Sequence, residues 1–170
     1  MKLYRVLVPL DGSRLAEAAI ETALGLTRGE ATSTLVLLRA AEAHTFPVVD
    51  PTNEQVEAVH EAEAYLSGVT ERLRRRGITQ VETGVWYGPA APAIIQAARL
   101  KKADLIVMST HGRSGLGRLI MGSVTESVLR GTSTPVCVVR ASGAPIETPP
   151  GLQHSRERET SHASKTGSPS

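Results

Sequence analysis

Cysteine occurs once in this 170-residue chain, as Cys137. A single thiol excludes an intramolecular disulfide framework and a zinc site built on cysteine pairs. Set within Pro135-Val136-Cys137-Val138-Val139, it reads as a small buried hydrophobe. Aromatic residues make up only 3%, and 19 Lys and Arg against 17 Asp and Glu leave a net charge of +2. A nearly neutral chain with few rings has neither the field nor the stacking surface of a nucleic-acid binder, whatever its basic pI. Long apolar runs are missing as well. None reaches the ~20 residues that span a bilayer, and Asp11 and Arg14 cut short the N-terminal apolar run where a secretory leader would continue. A soluble cytoplasmic protein, with neither membrane nor nucleic acid as partner, is the expectation.

Against these absences stands a 41% hydrophobic content, enough for a real core. The most informative stretch is residues 105–127, LIVMSTHGRSGLGRLIMGSVTES. Leu105-Ile106-Val107-Met108 is short and β-branched, as a buried strand is. A loop rich in glycine and hydroxyl groups follows. It ends at Gly122-Ser123, where a helix is expected to begin. Ser123 and Glu126 stand three apart before Val128-Leu129, the spacing of a capping box. Strand, glycine loop and helix N-terminus in that order suit a phosphate, because the terminal N–H groups lack helical partners and the dipole there is positive. Known phosphate motifs fit poorly. The loop has no P-loop Lys followed by Ser or Thr, and Ile120 stands where a dinucleotide fingerprint needs its third glycine. What remains is Ser109-x-x-Gly112, nine residues, then Gly122-Ser123.

The rest of the chain alternates. Strands are expected over residues 3–10, 35–38, 78–87, 104–108 and 135–140. Helices are expected after Ser13, over 53–76, over 92–100 and from Ser123 to about Gly131. Runs such as Val6-Leu7-Val8 and Leu35-Val36-Leu37-Leu38 lack polar alternation, as strands buried on both faces do. The third strand is less apolar and belongs nearer an edge. Alternating strands and helices give an α/β fold with a parallel sheet and right-handed crossovers. Ligands then bind beyond the carboxyl ends of the strands, where strand order reverses. Two carboxyl-end loops look chemical: Pro9-Leu10-Asp11-Gly12, and the stretch from Ser109 to Gly122. Asp11 is read equally well as a sugar-hydroxyl acceptor or as a turn residue bonding its own backbone. Arg72, Arg74, Arg75 and Arg76 before Gly77 read as a solvated helix end complementing the dipole. Trp86 and Tyr87 read as packing residues. From Ala141 onward Ser, Thr, Pro, Gly and charges dominate, so 1–140 is expected to be the domain and 141–170 a disordered tail.

These residues resemble the universal stress protein family over residues 2–140. The strongest pieces are Gly112, nine residues, Gly122-Ser123-Val124-Thr125-Glu126, and the closing PVCVV; VPLDGS and ADLIVMSTHG support them. The resemblance implies an open five-stranded parallel sheet in order 3-2-1-4-5 with helices on both faces, of the adenine nucleotide alpha hydrolase-like kind. It implies a homodimer through Val136 to Val139. The family's ATP-binding branch further implies ATP with Mg2+ as cofactor. Asp11 would meet the ribose, with Pro9 and Leu10 beside it. Ala40 and Met108 would lie along the adenine. Gly112, Gly122, Ser123, Val124 and Thr125 would hold the phosphates. Ser109 stands where that branch's motif has its first glycine, which narrows the ligand's approach and leaves affinity open.

Two functions follow as expectations. One is a nucleotide-responsive regulator in stress response, acting on a protein partner; the other is a dimeric interaction module that binds no nucleotide. An enzyme is not expected. His111, Arg113 and Arg118 are available for charge, yet the loop carries no carboxylate or glutamine to orient water.

Overall fold

The computed structural model describes residues 3–27, 32–42, 51–110 and 122–140, with residues 51–53 described by backbone alone. The glycine loop 111–121, with Gly112, and the tail 141–170 lie outside the described residues. The elements run β1 (Arg5–Pro9), α1 (Arg14–Leu26), β2 (Thr34–Ala41), α2 (Pro51–Arg75), β3 (Val81–Tyr87), α3 (Ala90–Leu100), β4 (Leu105–Thr110), α4 (Ser123–Gly131) and β5 (Val136–Arg140). All strand pairs are parallel. The sheet order is β3-β2-β1-β4-β5, the order that the resemblance implies.

The unbroken apolar runs have a simple cause. Side chains alternate faces along a strand, so Val6 and Val8, Leu35 and Leu37, and Leu105 and Val107 enter one core layer. Leu7, Val36, Leu38, Ile106 and Met108 enter the other. Residues of α1 and α2 complete the first layer, including Ala19, Ile20, Leu66 and Val69. Residues of α3 and α4 complete the second, including Ile94, Ala97 and Val128. Each layer therefore covers one face of the sheet.

Several element ends differ from the expected ones for local reasons. α2 starts at Pro51, not at residue 53; proline is suited to a first helical position, where its missing N–H is no loss. α3 starts at Ala90 rather than Pro92, because proline is equally tolerated within a first turn. β3 starts at Val81 rather than Ile78. Residues 77 and 78 are used to close α2: Gly77 takes φ +82, and its N–H bonds Arg74 O at 2.9 Å while Ile78 N–H bonds Leu73 O at 3.0 Å. That pair of bonds is a Schellman closure, and it needs the left-handed conformation that glycine allows. Cys137 is half-buried, not buried, since β5 is an edge strand.

At the amino end of the sheet, Arg5 Nη2 donates to Glu82 Oε2 at 2.6 Å, and Lys101 Nζ lies 3.6 Å from the same oxygen. This ties β1, β3 and α3 together. The Arg5 hydrogen bond, more than any other cause, holds the Glu82 carboxyl below its ordinary range. A depressed folded pKa stabilises above the unfolded value and is lost as pH falls through the folded one. Glu82→Gln is therefore expected to lower the urea midpoint at pH 7 by an amount equivalent to less than about 1 kcal/mol, given the exposure of the pair. The difference from wild type should close as the medium is acidified below the carboxylate range. A gap that stays constant down to pH 3 would remove this ion pair from the stability of the sheet.

Candidate functional site

β1 and β4 lie side by side, yet their ladder contains only Val6↔Leu105 and Leu7↔Ile106. β1 stays paired with β2 as far as Pro9↔Leu38, and β4 with β5 as far as Thr110↔Arg140. Beyond Leu7 and Ile106 the two central strands part. A crevice of about 180 Å3 opens there, at their carboxyl ends. This is where strand order reverses, the place such sheets offer to ligands.

Ten of the eleven residues expected at the site line this one crevice; the eleventh, Gly112, lies outside the described residues. Pro9, Leu10 and Asp11 come from the end of β1, Ala40 from β2, and Met108 and Ser109 from β4. Gly122, Ser123, Val124 and Thr125 come from the start of α4. Ala16, Ala90 and Ile94 also line it and were not anticipated. A signal for the last two exists in the sequence. Gly88-Pro89 ends β3 at the same edge of the sheet, and residues 90 and 94 are four apart on the helix that follows, so they share a face.

The walls differ in character. Leu10, Ile94 and Met108 are buried apolar side chains, and Ala40 and Ala90 add small apolar surface. The rim is polar. Asp11 Oδ1 accepts the Ser13 N–H at 2.9 Å, and Ser13 Oγ accepts the Ala16 N–H at 3.0 Å, capping α1. Both readings of Asp11 thus hold geometrically: it shapes its own turn and it lines the crevice. On the α4 side the N-cap is Gly122, which has no side chain to offer, and no cap bond is made to it among the described residues. A Cβ built on Gly122 meets no described residue within 4 Å. A larger hollow of about 450 Å3 lies between α2 and β3, lined by Glu63, Thr70, Arg74 and Thr83 among others.

The expected capping box is a correction. It requires Ser123 outside the helix, whereas Ser123 is already the first helical residue. That one-residue offset moves Glu126 out of reach of the cap. The Glu126 N–H donates to Gly122 O at 3.0 Å, and its carboxylate accepts from Arg130 Nη2 at 2.6 Å on the exposed face. Glu126→Gln should accordingly change stability by no more than about 0.5 kcal/mol, the worth of an exposed i,i+4 pair. A loss of 1 kcal/mol or more in urea unfolding, the usual cost of a lost cap, would restore the capping role.

The four-arginine cluster does more than was expected of it. Arg72 Nη2 donates to Glu17 at 2.8 Å, and Arg76 Nη1 donates to Glu21 at 2.6 Å. All four arginines are exposed, as expected of a solvated helix end, but Arg72 and Arg76 also tie it to α1, while Arg75 pairs with Glu71 within α2. Trp86 does pack, against the core layer of α3 and α4, while Tyr87 is exposed. Among the described residues no group of three or more His, Cys, Asp or Glu is placed to hold a metal. No described helix is long and apolar enough to cross a membrane.

The described residues form a doubly covered parallel α/β sheet with a part-apolar crevice at its switch point, bordered by the N-terminus of α4. The universal stress protein family model matches residues 3–140, and the chain belongs to that family. A Staphylococcus aureus (strain USA300) protein named for the same family is 31% identical over 156 residues, 91% of this chain and 94% of its own. The structure of a family member from Burkholderia pseudomallei superposes with a TM-score of 0.66 at 30% identity, covering 82% of this chain and 98% of that one. A universal stress protein in complex with cAMP gives 0.62 at 26% identity, covering 84% and 100%.

Proposed function

We propose that this universal stress protein binds ATP, with Mg2+, in the crevice between β1 and β4, and acts in the cytoplasm as a nucleotide-responsive regulator. The observation that carries the reading is the α4 terminus, uncapped and clear at Gly122 among the described residues, sharing one crevice with Asp11 and an apolar wall. Adenine suits the wall of Ala40, Ile94 and Met108. Ribose hydroxyls suit the Asp11 carboxylate. The phosphates suit the amides of Ser123, Val124 and Thr125, together with Gly112 from the loop. Mg2+ bound with the nucleotide supplies neutralisation of phosphate charge. A related protein with cAMP bound supports the nucleotide class.

Binding without turnover is part of the proposal. Among the described lining residues Asp11 is the one carboxylate, and it is assigned to the ribose. Glu126 is held by Arg130, away from the duty of orienting water. Adenine nucleotide is expected in the mass spectrum of the denatured purified protein, and ATP with Mg2+ should give a calorimetric binding isotherm. Gly122→Val should abolish that isotherm with the fold intact, since φ is −58 there and the new side chain meets only the space assigned to phosphates. Unchanged affinity in the folded variant would sink the site.

The open edge β5 supports a homodimer. Val136, Cys137, Val138 and Val139 are all half-buried on the edge strand of the sheet that the described residues form, and an edge strand is a template for a second strand. Light scattering should give twice the chain mass for wild type and the single-chain mass for Val138→Lys. A wild-type monomer at working concentration would remove this interface.

A further inference from the structure

We propose that Arg39 is a positioning residue for the ribose end of the crevice, holding the Asp11–Gly12 turn from beneath; the inference rests on the nucleotide reading above. β2 places Leu35 and Leu37 in the core layer of α1 and α2, and alternation puts residue 39 on that same face. An apolar residue is expected there, and an arginine stands instead. A local rule broken by a charged group is a mark of a functional position.

The contacts say what the guanidinium does. Its Nη1 is buried and has no hydrogen-bond partner. A Cβ added to Gly12 would lie 2.7 Å from that nitrogen, so the turn rests directly on the guanidinium. Gly12 also takes φ +87, a conformation that side chains resist. From α2, the Tyr65 ring lies under the cation, with Cζ 5.0 Å from its centroid, a cation–π distance. Glu61 Oε1 lies 3.6 Å from Nη2 and is itself largely exposed. The Tyr65 hydroxyl donates to Glu17 Oε1 at 3.0 Å. Burial first, then that carboxylate, push its pKa far up, which keeps the hydroxyl a donor and the ring in place. The guanidinium is thus fixed by α2 and in turn fixes the turn. Asp11 precedes Gly12, and its carboxylate takes the Ser13 N–H one residue beyond. Removing Arg39 leaves the turn that carries Asp11 without its floor.

The test uses the full chain and two readouts. The variant is Arg39→Met, which keeps the length of the stem and loses the cation and its plane. Tyr65→Leu, which leaves Arg39 but removes its ring, guards against a misfolded first variant. In the nucleotide-free protein, amide exchange at Ser13 should speed about tenfold in either variant, the change expected for one lost hydrogen bond, with core amides such as Val36 unaffected. In calorimetry, the preference of wild type for ATP over 2′-deoxyATP should collapse, whereas the preference for ATP over AMP should persist. A merely structural role would move all nucleotides together. Wild-type exchange at Ser13 and an unaltered ATP to 2′-deoxyATP ratio in both folded variants would overturn the assignment. If wild type binds no nucleotide at all, the nucleotide reading falls. Ser13 exchange then decides the buttress alone, its acceleration supporting it and its constancy overturning it.

Discussion

Parallel strands can be joined only by crossovers, and that constraint sends every β-to-α turn of this chain to one edge of the sheet. Both sheet faces must then be covered, here by α1 and α2 on one side and α3 and α4 on the other. Where successive crossovers go opposite ways, between β1 and β4, no helix closes the edge. The ladder there ends after two pairs, and the crevice is what the topology leaves open.

The same edge collects two kinds of group. Core strands running out at Met108 and Leu10 end in apolar surface. The start of α4 brings backbone N–H groups that no side chain caps among the described residues. An apolar wall beside unmet donors suits a ligand with a flat ring at one end and an anion at the other. Asp11 adds an acceptor on the rim. Its position depends on the turn that Ser13 caps and Arg39 supports.

Outside the crevice, the α1–α2 layer is tied by side chains that span both helices. Glu17 accepts from both Tyr65 and Arg72, and Glu21 accepts from Arg76. The chain Gly12, Arg39, Tyr65, Glu17 runs from the lip of the site into that layer. A charged residue on a core-facing strand position is costly unless neighbours hold it, and here the contacts come from Tyr65 and Glu61 of α2 and from the Gly12 turn.

Much of this is decided locally. Alternating runs of apolar strand and amphipathic helix set the fold class, because burial on both faces leaves no polar alternation to hide. Ser13 before a helical period and Gly77 after one set the ends of α1 and α2, because caps act within a few residues. The glycine spacing around Ser109, Gly112 and Gly122 marks the loop for a family resemblance before any coordinate is known. Other features depend on contacts between distant residues. One residue decides whether Ser123 caps α4 or begins it, and packing of α4 against α3 and the sheet sets that register. Arg72 and Arg76 look solvated until α1 presents Glu17 and Glu21, 55 residues away in the chain. Ala90 and Ile94 join the site only because β3 and β4 end at the same height. Arg39 reads as a misplaced charge until Gly12 and Tyr65 close on it. Periodicity and caps are carried by neighbours along the chain, whereas a crevice is made of residues that meet only when the sheet forms.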